Sequence, residues 1–118
     1  KWIEMIRVRS ASDALPLAMP EITSHADKIG RGPGIIEVMV LQHALFDGDI
    51  AVVILWDDDR QPKRTTEGLL LAGHLQNFGL VDHGVWVATP GFARCFEQDL
   101  DLSSINSAVW FPSFNIPV

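Results

Sequence analysis

The stretch 50–59, IAVVILWDDD, limits the fold more than any other: seven consecutive apolar residues run into three acids and then a turn-rich segment, 60–63. A run this short and rich in Val and Ile reads as a strand covered on both faces, because a surface strand alternates and a helix needs a longer segment. Something must therefore lie on each side of it. The chain offers helical material for one side only, and a second copy of the chain is the expected cover for the other.

The remaining segments arrange themselves around that strand. Residues 2–9 (WIEMIRVR) place Trp2, Glu4, Ile6 and Val8 on one face and Ile3, Met5, Arg7 and Arg9 on the other, giving a strand whose second face is mixed. Ser12 or Asp13 can cap a helix whose apolar stripe is Leu15, Met19, Ile22, Ala26 and Ile29. Pro20 removes an interior amide donor, so the regular helix is expected to start near it after an irregular turn. The glycine-rich 30–34 (GRGPG) ends the helix, and 35–45 (IIEVMVLQHAL) is a second strand. Its alternation sets Ile35, Glu37, Met39, Leu41 and His43 against Ile36, Val38, Val40 and Gln42. Asp47-Gly48 supplies a tight turn into the central strand. Thr65 or Thr66 caps a second helix, 66–78, with Gly68, Leu71, Ala72, Leu75 and Phe78 along one stripe and Gly79 as a left-handed end. Residues 80–89 (LVDHGVWVAT) close the set as a fourth strand.

Strand, helix, strand, strand, helix, strand is the split βαβ order of an α+β, ferredoxin-like sandwich with an antiparallel sheet. Its first and third strands are central, which is where the two-sided apolar run belongs. Right-handed crossovers send both helices over the same face. The opposite face would then expose more apolar surface than the roughly 300–600 Å² of an ordinary monomer, so two sheets are expected to pair face to face in a homodimer. Residues 1–90 form this domain. Residues 91–118 are a C-terminal extension, with a short helix at 92–99 and an apolar arm at 108–118 broken by Pro112 and Pro117.

With 118 residues, 47% of them apolar, and a net charge of −6, the composition fits one soluble globular domain. Cys95 is the single cysteine and can make no internal disulfide, which fits a reducing, cytoplasmic setting. The longest apolar run is too short for a bilayer span, and no signal-like segment opens the chain. Lys1 in place of Met suggests a processed or trimmed start. Acid outweighs base and no Lys/Arg cluster exceeds 63–64, which argues against nucleic-acid or membrane partners.

The element order across 2–89, the IAVVILW strand followed by an acidic loop and helix, and the closing LVDHGVWV strand resemble the dimeric α/β-barrel superfamily. That group includes the antibiotic-biosynthesis-monooxygenase-like and stress-responsive barrel families. The resemblance implies a homodimer whose sheets enclose a small-molecule cavity, used for cofactor-free oxidation of quinol-like substrates, for haem or porphyrin chemistry, or for simple binding.

Within that frame the candidate ligand-binding residues are His43, His83, Trp86, Glu37 and Arg7. A histidine on an apolar strand face can act as acid, base or ligand group, or be an ordinary hydrogen-bonded residue. His83 and Trp86 differ in parity, so both reach one cavity only if Gly84 marks a bulge. Trp56 and Trp86 offer flat walls. Glu4 and Glu37 are carboxylates among apolar neighbours, either general-base candidates or, as the favoured expectation, each paired with an arginine, Arg7 or Arg9. No close His, Cys or carboxylate spacing supplies a zinc site, and 57–59 lacks the alternating ligands of a calcium loop, so no metal and no cofactor is expected. The glycines at 30–34 follow a helix rather than precede one, the wrong order for a phosphate loop. The expected activity is small-molecule binding, extending to cofactor-independent monooxygenase-like chemistry on a small aromatic or quinol-like ligand. A regulatory ferredoxin-like module and a ligand-free structural dimer are the alternatives.

Overall fold

The computed structural model describes residues 1–89 except Ser12 and Asp58. The expected helix at 92–99, the arm at 108–118 and the boundary at 90 lie outside the described residues. Six elements follow in order: β1 (Trp2–Arg9), α1 (Ala14–Ile29), β2 (Ile35–Gln42), β3 (Asp49–Trp56), α2 (Thr66–Leu75) and β4 (Leu80–Val87). The four strands form one antiparallel sheet in the order β2-β3-β1-β4, so the apolar run is central as its two-sided burial requires. The fold is the expected ferredoxin-like α+β sandwich. No helix among the described residues is long and apolar enough to cross a membrane.

Strand alternation decides which residues enter the core. Trp2, Ile6 and Val8 of β1, with Ile50, Val52, Ile54 and Trp56 of β3, face the helices and meet Leu15, Ile22 and Ala26 of α1 and Leu71, Ala72 and Leu75 of α2. The indoles of Trp2 and Trp56 stack with centroids 5.6 Å apart. The central residues of the second face, Ile3, Val53 and Leu55, are also buried.

Several local expectations are corrected. Helix α1 runs unbroken from Ala14 through Pro20 rather than starting there. The amide missing at Pro20 would have served the carbonyl of Pro16, and both prolines lie on the exposed side, where water can serve that carbonyl. Asp13 holds the N-cap position without a side-chain cap bond. In β2 the register slips between Ile35 and Glu37, so Ile35 pairs with Trp56 and packs on the core instead of sharing a face with Glu37. Strand β2 ends at Gln42, leaving His43 in the connection to β3. Helix α2 ends at Leu75 and not at 78. Gly79 is not left-handed. Its Cβ would fall 2.2 Å from the Arg9 carbonyl, so close backbone approach selects glycine there, and Gly34 alone among the described glycines has positive φ, +82°.

Candidate functional site

The most chemically organised cluster lies on the helix side of the sheet, where β1, β3, β4 and the start of α2 meet. Its centre is Glu4, which is 0% exposed. Alternation on β1 turns this side chain toward α2, and Gly68 of α2 leaves the space that the carboxylate fills. Thr65 caps α2, its hydroxyl accepting from the Gly68 amide at 3.0 Å. That bond leaves the hydroxyl proton free to point at the carboxylate, and Thr65 Oγ1 donates it to Glu4 Oε1 at 2.7 Å. Trp56 Nε1 donates to the same oxygen at 3.0 Å, and the Thr65 amide donates to Oε2 at 3.0 Å.

The fourth contact comes from His83, whose Nε2 lies 2.5 Å from Glu4 Oε2. The Thr65 amide and the Trp56 indole can only donate, and the Thr65 hydroxyl has its proton directed inward. The arrangement therefore suits an acceptor-only carboxylate, and it places the imidazole hydrogen on Nε2. That leaves Nδ1 with its lone pair. His83 as a whole is 8% exposed. The partly buried Val81 and Val85 flank it on the same face of β4. A carboxylate that fixes one ring nitrogen leaves the other as the acceptor of the neutral ring.

The expectation that Glu4 meets an arginine is therefore wrong. Arg7 and Arg9 point to the other face of β1, as parity already requires, and both reach Asp49. Arg7 holds it in a two-bond fork, Nε to Oδ1 at 2.8 Å and Nη2 to Oδ2 at 2.6 Å. Arg9 makes one long contact to Oδ2, at 3.5 Å. The hydrogen bonds from Arg7 hold the Asp49 carboxyl below its ordinary value against the opposing effect of burial, with the charges of Arg7, Arg9 and His43 adding to the shift. The hydrogen bonds to Asp49 correspondingly raise the Arg7 guanidinium.

The five residues expected at one cavity fall into four places. Pairing of β4 with β1 is continuous through Gly84, so no bulge brings His83 and Trp86 to one side. His83 lies under the helices and Trp86 on the opposite face, 61% exposed, its indole nitrogen 3.0 Å from where a Cβ on residue 84 would sit. Gly84 makes room for that ring. Trp56 is core, not wall. Glu37 lines a groove of about 540 Å³ between α1 and β2, with Met19, Thr23 and Val40. Arg7 and His43 do come together, in a cavity of about 600 Å³ at the far end of the sheet, with Arg9, Leu45, Phe46 and Asp49. Among the described residues no group of three or more His, Cys, Asp or Glu side chains is placed to hold a metal ion.

These elements define an α+β protein of ferredoxin-like fold with a buried carboxylate–imidazole pair. No protein-family model matches the sequence, and no curated protein matches it. Solved structures do share the fold. An antibiotic biosynthesis monooxygenase superposes with a TM-score of 0.59 at 12% identity, over 76% of this chain and 100% of its own. SnoaB, a cofactor-independent oxygenase from Streptomyces nogalater, gives 0.56 at 20% identity over 74% and 91%. Rv0793 from Mycobacterium tuberculosis gives 0.57 at 12% over 75% and 94%. The chain has the fold of the antibiotic-biosynthesis-monooxygenase-like proteins.

Proposed function

We propose that this protein is a small-molecule oxygenase that needs no cofactor and acts on a small aromatic or quinol-like substrate, with His83 as its base. The observation that carries the reading is the buried Glu4–His83 pair, which leaves Nδ1 of the ring as the atom not bound to the carboxylate. A quinol brings its own electrons for the reduction of dioxygen, so the protein has to supply chiefly a proton acceptor and an apolar place to hold the ring. His83 Nδ1 takes the hydroxyl proton, Glu4 stabilises the imidazolium formed, and the resulting phenolate is the form that gives electrons to oxygen. Trp56 and Thr65 keep the carboxylate in place through this change. The fold shared with SnoaB supports the same reading at the level of architecture.

Oxygen uptake with a panel of hydroquinones, without flavin, haem or added metal and corrected for spontaneous oxidation, tests it. The His83→Asn variant should lose on the order of 100-fold of the catalysed rate, the range general base catalysis supplies. A wild-type rate no higher than that of the variant would sink the reading.

A further inference from the structure

We infer a second ligand site in the cavity at the far end of the sheet, built for a planar aromatic molecule that carries one acidic group. It is separate from the Glu4–His83 centre: Arg7 and Arg9 have the opposite parity to Glu4 on β1, and Arg9 is at the other end of the strand. The floor is made by Arg7, Arg9 and Asp49, and the wall by the connection from β2 to β3 with His43, Leu45 and Phe46. This wall is held against the end of β1. The Ser10 amide donates to the Gly48 carbonyl at 2.7 Å, and a Cβ on Gly48 would meet the Ser10 carbonyl at 2.1 Å.

The polar groups facing this space differ in what they have left to give. Arg7 is committed to Asp49 by two short bonds, and Asp82 adds attraction to the same guanidinium. Arg9 makes only its 3.5 Å contact to Asp49 among the described residues and is 65% exposed, so most of its five donors remain for a ligand. His43 Nδ1 accepts from the Leu45 amide at 3.0 Å, which puts the hydrogen of the neutral ring on Nε2 and makes it a second donor. The Phe46 ring lies 4.9 Å from the His43 ring and is largely exposed beside Leu45, a flat apolar surface unused by the core. A planar donor fork beside an aromatic face selects a carboxylate on an aromatic body. Asp47 stands on the same lining and repels a second negative group, which limits the ligand to one. The volume, about 600 Å³, accommodates a two-ring molecule.

Calorimetric titration of the full chain with 2-naphthoate tests the site, alongside the neutral 2-naphthalenemethanol and 2,6-naphthalenedicarboxylate. The monocarboxylate should bind about tenfold or more tightly than either of the others. Arg9→Met and Phe46→Ala should each weaken it by about tenfold, with unchanged circular dichroism, since both side chains are exposed. His83→Asn should leave naphthoate affinity as it was, which separates this site from the proposed oxygenase centre. Equal affinity for acid and alcohol, tighter binding of the dicarboxylate, indifference to Arg9→Met, or no binding at millimolar ligand would each overturn the assignment.

Discussion

At position 68 a methyl group would collide with a carboxylate: an added Cβ would lie 2.0 Å from Glu4 Oε2 and 2.4 Å from Cδ. A flexible side chain could swing aside, but this one is fully buried and tied to Trp56, Thr65 and His83. Gly68→Ala should therefore lower stability by more than about 2 kcal/mol in urea unfolding, although alanine is the better helix former. Asp49 gives a different, pH-dependent signature. Its folded-state carboxyl titrates below its unfolded value, chiefly because of the Arg7 hydrogen bonds, so its contribution is complete above about pH 4 and fades as pH falls through the depressed folded value. The raised Arg7 contributes at all ordinary pH and loses nothing there. Between roughly pH 5 and 2.5 the urea midpoint of the wild type should fall further than that of Asp49→Asn, and parallel curves would contradict the assignment.

At the scale of elements, the start of α2 is where side chain and backbone are most closely coupled. Thr65 both caps the helix and donates twice to Glu4, so Thr65→Ala should cost about 1–3 kcal/mol in thermal or urea unfolding, while Thr65→Ser recovers most of it. A serine variant as weak as alanine would show that the methyl, not the hydroxyl, matters. The cap and the stripe Gly68, Leu71, Ala72 and Leu75 were legible in the sequence because helix periodicity is local. The parity of β1 was equally legible, and it already set Arg7 and Arg9 on the face opposite Glu4. What alternation could not reveal was the bulge that turns Ile35 inward or the absence of one at Gly84, since a single inserted residue changes facing without changing composition. The partners of Glu4 come from residues 56, 65 and 83, and only the register between strands brings them together. The element order also left open how far a proline can sit inside a helix, as Pro20 does.

For the whole molecule, the element order was readable because each strand and helix carries its own period and the handedness of crossovers leaves few topologies. What lies against the second face of the sheet is a question of association. Its centre, Ile3, Val53 and Leu55, is buried, yet Leu80 and Trp86 of β4 and Leu41 of β2 on the same face are exposed, Trp86 by 61%. We propose that a second copy covers these margins. An obligate interface of this kind would bury on the order of 2,000 Å² in total. Sedimentation equilibrium at low micromolar concentration should then show a dimer. Trp86→Glu should shift it toward monomer while leaving the fold intact, because an exposed indole contributes little to the core and a carboxylate buried at the interface is left unpaired. A wild-type monomer, or a dimer indifferent to that substitution, would place the association surface elsewhere or remove it.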